Sequence, residues 1–562
     1  MIRILLILSL LSSIRLWSQQ TYFLSIHQAK EFQFKKDFYT FKTKKEVETF
    51  LQQRQFKLIK KGFVLASIDS LNWKNDTAYV QLYKGEKFEN IHINIKKEDE
   101  YIIKKTPSIN EKIMGDFPFS PRLVQSMLKN ISSYLNNTGY PFSKVFLKID
   151  SLQIKGSHAQ LIIEKGPLVK ITQIFVKGDQ KINKKFVQNI ISIKEGHPYN
   201  SDLIRGISRR IEQVQFIKEI KPAEILFKPE GAELYVYLKN NPVSLINGII
   251  GIQPDPTTKK TTVTGDVRLK LQNLLKRGEL LDINWRSYQP QTQELKLRLN
   301  YPFMFNTPFG IDTKFNLYKR DSSYLTLNFH AGMQYFLLGG SYLKVFYELD
   351  NSNLLQGTSS STTGEFSTVK SNNYGISFFY NKVDYIQNPS KGLLIEVESS
   401  AGIRKSNEAG KDTTLTSTTF KGRLDISVFI PLVKRHIIRL SNTTQTYYAP
   451  NIFKNELYRF GGLNTQRGFS EESLLATTLS VFSIEYRFLV DKNSHAFAFF
   501  DQTFYENTAV EYRNDHPYGF GLGYSFGTKI GIFSISYALG SQQNNPIQIR
   551  DSKIHFGYIA YF

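Results

Sequence analysis

Few residues of the chain are arranged in a way that could support catalysis. Its nine histidines are scattered singly, and there is no cysteine. The His-Glu-x-x-His pattern of zinc hydrolases does not occur. Gly523-Tyr524-Ser525-Phe526-Gly527 has the letters of Gly-x-Ser-x-Gly, but it lies within a strictly alternating strand-like run and is not the elbow of a serine hydrolase. The sequence therefore predicts no enzymatic activity and no metal site, and its acidic and basic side chains are expected to form charge networks.

Glu485 and Arg487 are such a charged pair, two residues apart in a segment of alternating character. Side chains two apart on a strand share one face, and Ile484, Tyr486 and Phe488 then fall on the other. A basic residue that faces lipid costs ~2–4 kcal/mol near the bilayer midplane, so the charged face of a membrane strand must point inward. A buried arginine also needs a carboxylate partner. The pattern predicts a charged interior bounded by strands with apolar outer faces.

The strands that carry this pair are predicted to belong to an outer-membrane barrel. Aromatic residues make up 14% of the chain, which suits the aromatic girdles and lipid-facing positions of such barrels. Beyond the N-terminus no run of 18 apolar residues occurs, which argues against a helical membrane span. Residues 242–562 contain about sixteen strand-like segments of transmembrane length, an even number as expected for a bacterial barrel. The polar stretch Asn351–Asn373 is predicted to be an extracellular loop.

Two of these segments show the alternation most clearly. In Tyr518–Gly527, large aromatic or aliphatic residues alternate with glycine and serine. In Lys553–Phe562, Phe556 and Tyr558 share one face, whereas His555 falls on the other. The large residues are expected to face lipid, and the small or polar ones are expected to line the barrel interior.

The N-terminus has the features of a signal peptide over residues 1–18. Arg3 supplies the positive charge, Ile4–Leu11 is the apolar stretch, and Ser18 is a small residue before Gln19. A buried N-terminal helix is the alternative. The net charge of +23 lies largely in the arm between this peptide and the barrel. Such an arm could attract anionic lipid headgroups or acidic polypeptide segments, whereas export and scattered lysines argue against nucleic acid.

The arm repeats one unit about every 75 residues. The clearest copy, the third, has a strand over Val169–Val176, a helix capped by Asn183 and a second helix from Ser201. In the second copy, Ser120 and Pro121 begin a helix. That helix carries Leu123, Met127, Ile131 and Leu135 at four-residue intervals. The first copy has a helix over Val47–Leu51 and strands over Phe63–Ser70 and Ala78–Lys84.

These units resemble POTRA domains in their order of one strand, two helices and two strands. The first two copies end on a similar phrase, Tyr83-Lys84-Gly85-Glu86 and Glu164-Lys165-Gly166-Pro167. The next copy begins directly after each phrase, as in POTRA arrays. The predicted POTRA-like domains are residues 19–88, 89–168 and 169–241, followed by the barrel over 242–562. An exposed sheet edge in such a domain would let an extended client polypeptide add a strand; a stiff spacer is the alternative.

A loop between two late strands resembles the signature of the BamA/TamA superfamily of outer-membrane assembly proteins. The segment Gly461–Phe469 contains Arg467-Gly468-Phe469, which matches the family's Arg-Gly-Phe/Tyr loop tip. The phrases Glu485-Tyr486-Arg487-Phe488 and Phe499-Phe500-Asp501 resemble the two strands that follow it. The resemblance implies that the loop folds into the lumen and that Asp501, with Glu485 as a second partner, holds Arg467. Thr503 departs from the family, whose members often have glycine there.

The ends of the barrel carry two further candidate features. Gly248 and Gly251 weaken the packing of the first strand, and a weak closure against Lys553–Phe562 would be suitable for a lateral gate. The terminal residues Tyr558, Tyr561 and Phe562 belong to this last strand. Tyr561-Phe562 resembles the C-terminal aromatic signal that is recognised during barrel insertion.

The resemblance implies an outer-membrane factor that receives unfolded outer-membrane or secreted polypeptides in the periplasm and assists their insertion or transport. Its other partners would be outer-membrane lipids and accessory periplasmic or lipoprotein subunits, with no cofactor, nucleotide or nucleic acid. Three POTRA-like units favour a TamA-like layout. A two-partner-type secretion pore for one exported protein is the first alternative, and a passive porin or an outer-membrane enzyme is more remote. Arg467 could hold the loop structurally, take part in gating, or do both.

Overall fold

The computed structural model describes residues 22–28, 35–107, 116–178, 182–241, 243–254, 261–289, 292–355, 365–386, 388–407, 414–509, 511–528, 531–543 and 545–559. The predicted signal peptide and the terminal Tyr561 and Phe562 lie outside these residues. The chain forms two compact units. One comprises residues up to Lys170 with Pro198–Ser201, and the other comprises Ile171–His197 with Asp202 onward.

The first unit contains two small sheets, each with a helix packed on one face. The first sheet has the order β2-β1-β4-β3 and buries Leu24, Val80 and Leu82 against Val47 and Leu51 of helix α1. Its elements are β1 (Tyr22–Gln28), β2 (Lys35–Phe41), α1 (Lys44–Lys60), β3 (Ser67–Lys74) and β4 (Thr77–Tyr83). A strand hairpin therefore precedes the helix in this copy, instead of one strand and a further helix.

The strand predicted from Phe63 begins later, at Ser67. Gly62 has a φ of +99°, in the left-handed region that glycine enters without steric cost, so it ends α1. The next residues form a turn in which the Ala66 amide donates to the Phe63 carbonyl at 3.1 Å. The turn uses the residues that the apolar pattern had assigned to the strand.

The second sheet has the order β6-β5-β8-β7 and packs on helix α3. Its elements are β5 (Asn90–Asn94), α2 (Glu100–Lys105), β6 (Asp116–Pro118), α3 (Pro121–Asn137), β7 (Lys144–Ser151) and β8 (Ser157–Glu164). Met127, Ile131 and Leu135 are buried, whereas Leu123 is 55% exposed. Residues spaced by four drift about 40° per step around a helix, so the first member of the series leaves the buried face. Ser120 precedes α3 as predicted, but its side chain makes no capping hydrogen bond.

The third small sheet belongs to the second unit and has the order β10-β11-β9. Its elements are β9 (Ile171–Gly178), α4 (Lys184–Ile191), α5 (Ser201–Arg205), α6 (Ile207–Glu212), β10 (Ile217–Lys228) and β11 (Gly231–Asn240). Asn183 caps α4 by accepting from the Lys185 amide at 2.9 Å. The single helix predicted from Ser201 is instead interrupted at Gly206. A β-carbon at Gly206 would lie 2.6 Å from the Arg210 guanidinium, whose pKa burial lowers to about 10.

The helices packed on this third sheet contact the connections between the long strands that follow in the chain. The Phe186 ring lies 5.8 Å from the Phe303 ring, and a β-carbon at Gly278 would be 2.2 Å from Phe186. The Lys492 ammonium pairs with Glu212 at 3.2 Å. Apolar and charged contacts together make the third sheet part of the second unit.

The rest of the second unit is one antiparallel sheet of sixteen long described strands that pair in chain order, with the short β27 (Arg513–Asp515) attached to β26. The long strands are β12 (Leu245–Pro254), β13 (Thr261–Gln272), β14 (Leu280–Gln289), β15 (Thr292–Tyr301), β16 (Phe309–Arg320), β17 (Tyr324–Phe336), β18 (Tyr342–Leu354), β19 (Val369–Val383), β20 (Gly392–Asn407), β21 (Thr414–Val433), β22 (His436–Tyr448), β25 (Thr478–Leu489), β26 (His495–Asn507), β28 (Tyr518–Thr528), β29 (Gly531–Ser541) and β30 (Lys553–Ile559). A hairpin of β23 (Tyr458–Phe460) and β24 (Leu474–Ala476) lies between β22 and β25. The predicted fold class, α+β units followed by a large antiparallel barrel, is confirmed.

The two faces of these strands differ as the alternation predicts. On β25, Glu485 and Arg487 are 3% and 9% exposed, whereas the intervening Tyr486 is 40% exposed. On β28, Phe520 and Leu522 face outward and Gly519 is buried. The charged and small residues line the barrel interior, and the large apolar residues cover its outside. Among the described residues, no helix is both long and apolar enough to cross a membrane.

The loop predicted over Asn351–Asn373 is shorter than expected. β18 continues to Leu354 and β19 begins at Val369, so both ends of the polar stretch are paired strand. Asn373, for example, lies opposite Glu348 and is fully buried in the interior. Interior strand positions are themselves polar, so polarity alone cannot separate them from a loop.

The two faces generate a first prediction. Ile484 is 54% exposed on the outside of β25, so Ile484→Lys should lower the free energy of unfolding by ~2–4 kcal/mol near the bilayer midplane. The matched control is Gln445→Lys on the neighbouring strand, where the new charge enters the polar interior. Urea titration of the protein folded in lipid vesicles measures both variants. Equal losses would contradict the assignment of the two faces.

Candidate functional site

The candidate site is formed by the segment between β22 and β25, which folds into the barrel interior. Its hairpin of β23 and β24 presents the loop tip, defined here as Gly461–Phe469. Phe469 packs with Phe460 and Leu474 of the hairpin and with Val481 of β25. This apolar contact holds the loop tip against β25 inside the barrel.

Arg467, at the loop tip, is 7% exposed, and its guanidinium is held by side chains of two strands. Nε donates to Asp501 Oδ2 at 2.7 Å, and Nη2 donates to Asp501 Oδ1 at 2.6 Å. Nη1 donates to Glu485 Oε2 at 2.8 Å, and Nη2 also donates to Ser483 Oγ at 2.9 Å. The two parallel bonds to Asp501 match the planar fork of arginine, a geometry that lysine could not reproduce.

The flat face of the same guanidinium rests on an aromatic ring. Its central carbon lies 3.6 Å from the centre of the Phe499 ring. Phe499 precedes Asp501 by two positions on β26, so both side chains face the interior. The Arg467 cluster, defined as Arg467, Ser483, Glu485, Phe499 and Asp501, therefore provides hydrogen bonds in the plane of the guanidinium and a cation–π contact above it.

Glu485 is shared by several cations. Arg487 Nε donates to its Oε1 at 2.6 Å, and Arg439 Nη1 lies 3.9 Å from its Oε2. Two carboxylates therefore face three guanidinium groups, so removing either carboxylate would increase an existing excess of buried positive charge. The geometry supports a charge network that positions the loop tip.

Thr503, where the family often has glycine, also contacts the loop tip. It is fully buried, and its hydroxyl donates to the side-chain oxygen of Gln466, which is itself fully buried. The Gln466 amide nitrogen donates to the backbone carbonyl of Asp501 at 3.4 Å. The Thr503 side chain therefore adds a polar contact to the loop tip that a glycine at this position could not make.

The same segment reaches the opposite side of the barrel interior. Arg459 donates to the Tyr324 hydroxyl at 3.2 Å, and its guanidinium carbon lies 3.6 Å from the Tyr318 ring centre. Glu472 lies 3.6 Å from Arg286 of β14. Early and late strands thus face a common interior that this segment spans. A cavity of about 490 Å³, lined in part by Arg439 and Gln445, remains beside the loop tip.

A second arginine fastens the beginning of the segment. Arg404, 1% exposed at the end of β20, donates through Nε and Nη2 to the two carboxylate oxygens of Glu456 at 2.7 and 2.6 Å. The Tyr447 hydroxyl donates to Glu456 Oε1 at 2.6 Å. We call this pair, Arg404 and Glu456, the root anchor. No motif in the sequence pointed to it.

The candidate gate residues lie elsewhere in the sheet. On β12, Gly248 lies opposite Val267, and Gly251 lies opposite Thr264. Tyr558 is on β30, opposite Phe533 of β29. Within Leu245–Pro254 and Lys553–Ile559, no backbone pairing joins β12 to β30. The structure thus brings Arg467, Glu485 and Asp501 together and leaves the gate residues on two strands that do not pair in the described parts.

Strand pairing, the folded-in loop and the small αβ sheets together define a POTRA-containing barrel protein. A model of the Omp85 superfamily domain matches residues 252–558, and a POTRA model described as the surface antigen variable number repeat matches residues 169–240. The chain belongs to the Omp85 superfamily, which includes the BamA/TamA proteins. As a member of this superfamily, the chain has the general role of inserting or transporting polypeptides at the outer membrane.

Two solved structures share this architecture at low identity, and a third matches with a lower TM-score. CdiB from Acinetobacter baumannii is 12% identical with a TM-score of 0.52, covering 91% of this chain and 96% of that chain. CdiB from Escherichia coli is 13% identical with a TM-score of 0.50, covering 91% and 97%. BamA from Haemophilus ducreyi, lacking POTRA domains 1–3, is 14% identical with a TM-score of 0.42, covering 84% and 98%. No curated protein sequence matches the chain.

The Arg467 cluster generates a second prediction. Arg467→Ala removes the guanidinium that holds buried Asp501, whereas Glu485 keeps Arg487 as a partner. Loss of one member of a buried pair costs ~3–5 kcal/mol in a dry interior and less beside a water-accessible cavity. We therefore expect the loop tip to detach and become protease-sensitive while the barrel stays folded. Limited proteolysis and heat-dependent gel mobility measure the two effects.

Asp501→Arg should have a similar effect alone, and the Arg467→Asp/Asp501→Arg exchange should recover part of the protection. Recovery should be incomplete because the carboxylate introduced at position 467 would lie beside Glu485. Additive effects of the two single changes would show that the side chains are not coupled.

Proposed function

We propose that this protein receives unfolded polypeptides in the periplasm and assists their insertion into, or transport across, the outer membrane. The observation that carries the proposal is the loop tip held inside the barrel through Arg467, which donates to Asp501 and Glu485 on two adjacent strands. The protein would act without catalysis or a cofactor, through strand pairing with its client.

We propose that residues 19–88, 89–168 and 169–241 are three POTRA domains and that clients dock on their sheet edges. β7 is an edge strand of the second sheet, and its Phe146 and Ile149 are 42% and 56% exposed. An extended client could pair with such an edge through main-chain hydrogen bonds and place apolar side chains against these residues. The basic charge of the arm would favour acidic client segments and anionic lipid headgroups.

We further propose that β12 and β30 form the lateral gate. Gly248 and Gly251 remove side-chain packing from β12, which makes its edge easier to separate. A client strand could then pair with a free edge before it leaves into the bilayer. Tyr561 and Phe562 would follow β30 as the signal for insertion of this barrel itself, and accessory periplasmic or lipoprotein subunits would deliver clients.

A secretion pore for one dedicated partner is the second candidate, favoured by the cavity of about 490 Å³ beside the loop tip. Comparison of the outer-membrane and secreted proteomes with and without the protein separates the two candidates. Loss of several outer-membrane proteins supports the assembly role, and loss of a single secreted protein supports the pore.

A third prediction concerns location. The mature chain should fractionate with the outer membrane and migrate faster on gels before heating than after it, as a folded barrel does. Recovery in the soluble periplasmic fraction would contradict the proposal.

A fourth prediction concerns the arm. Deletion of residues 21–168 removes the first two sheets and leaves the third sheet with the barrel it contacts. We expect a folded barrel that no longer supports client assembly, measured by the outer-membrane proteome. A matched control is Phe146→Ser/Ile149→Ser in the full chain, which keeps the arm but removes apolar side chains from one edge. Full function of the deletion variant would show that these two sheets act only as a spacer.

A further inference from the structure

The last three strands each present a glycine to the loop tip. A β-carbon at Gly519 of β28 would lie 2.0 Å from the Arg467 carbonyl oxygen. One at Gly540 of β29 would lie 2.8 Å from the Gly468 carbonyl oxygen, and one at Gly557 of β30 would lie 2.1 Å from Leu463 Cδ2. We call these three residues the glycine saddle. At Gly519 and Gly540 the backbone of the loop tip rests directly on the wall of the barrel, with no room for a side chain between them. At Gly557 the neighbouring group is the Leu463 side chain, which a side chain at position 557 would displace.

The contact is equally close from the side of the loop. Gly468 has a φ of +93°, and a β-carbon there would lie 2.7 Å from the Leu539 carbonyl oxygen. Both the backbone conformation and the space exclude other residues at this position. The tip and the last strands are thus fitted to each other.

One hydrogen bond joins the loop tip to the last strand. The Gly468 amide donates to Nε2 of His555 on β30 at 3.1 Å. Nε2 accepts here, so the imidazole carries its hydrogen on Nδ1. Gly468 is buried, and without His555 its amide would lose this partner, which is unfavourable for a buried donor.

β30 has few other supports within the described residues. It pairs with β29 over Lys553–Ile559, and in those residues no strand pairs with its second edge. Its outward residues Ile554 and Phe556 are 71% and 69% exposed. The luminal contact through His555 and Gly557 is therefore a substantial share of what holds this strand.

We propose that the loop tip holds β30 in place, with His555 as a positioning residue, so that release of Arg467 is transmitted to the last strand. The Arg467 cluster fixes the tip on β25 and β26, and the tip in turn fixes β30 through His555 and the glycine saddle. This inference deepens the proposed function and rests on it for its biological purpose, since a loosened β30 would be the edge that a client strand engages. The coupling itself is tested without any client.

The experiment is hydrogen exchange of the full-length mature protein in lipid nanodiscs, followed at the amides of Lys553–Ile559. Arg467→Ala and His555→Phe should each speed exchange in β30 by roughly tenfold, the factor expected for the loss of a hydrogen bond to a buried donor. The double variant should show no more than the larger single effect, because both changes release the same contact. Amides of β20 serve as the internal reference and should stay unchanged.

Two variants separate positioning from general damage. His555→Gln keeps an acceptor oxygen within reach of Gly468 and should restore part of the protection. Lys553→Gln changes a luminal-face residue of the same strand outside the tip contact and should behave as wild type. If His555→Phe does not fold, Gly557→Ala, whose methyl group displaces Leu463, provides the same measurement.

A disulfide provides a rescue test, because the chain has no cysteine of its own. A β-carbon at position 557 would lie 3.6 Å from Leu463 Cγ, close to where a cysteine sulfur at 463 would be. The Leu463→Cys/Gly557→Cys pair, when oxidised, should return β30 to slow exchange in the Arg467→Ala background, and reduction should reverse this.

The proposal is overturned if Arg467→Ala frees the loop to protease while exchange in β30 stays at the wild-type rate, or if the two single effects are additive. Loss of the coupling with normal client assembly would remove this inference and leave the proposed function standing. An intact coupling in a protein that assembles no client would support this inference and contradict the proposed function.

Discussion

Burial of the Arg467 guanidinium is the constraint on which the rest of the barrel interior depends. A buried positive charge inside the barrel is stable only when carboxylates pair with it. Asp501 and Glu485 pair with Arg467 from two adjacent strands. The strands must then keep their register, since a shift by one residue would turn both carboxylates toward lipid. The loop must also pass through the interior to bring the arginine there. One ionic interaction thus links strand register, loop path and the contents of the lumen.

The interior around this interaction is organised by charge and by close backbone contact in different regions. On β25 and β26, guanidinium and carboxylate groups share hydrogen bonds, and the Phe499 ring packs against the flat face of the Arg467 guanidinium. On the last three strands the loop meets glycines, with backbone against backbone at Gly519 and Gly540 and the Leu463 side chain against Gly557. Charge pairing orients the loop tip, whereas the glycines let it lie close to the barrel wall. The proposed coupling to β30 joins these two modes of contact.

Period-two alternation made the barrel and the inward orientation of Glu485 predictable, because it repeats along every strand. The motif Arg467-Gly468-Phe469 pointed to a loop tip, and the structure brings its arginine to the two expected carboxylates. Ser483 and Phe499 could have been found by stepping two residues back from Glu485 and Asp501. The pair of Arg404 and Glu456 could not have been found in this way, because their contact depends on the path of a loop that has no repeating pattern. The closeness of Gly206 to the Arg210 guanidinium depends likewise on the folded structure.

The root anchor gives the loop a property that a single attachment would lack. With Arg404 and Glu456 still joined, a tip that leaves its cluster stays tethered by a short stretch of chain. Short flexible tethers maintain effective concentrations in the millimolar range, so return to the cluster is an intramolecular step. A tip that detached would therefore rebind quickly, and the detached state would be short-lived. Arg404 would thereby affect how quickly a detached tip returns, whereas Arg467 would affect how often it detaches.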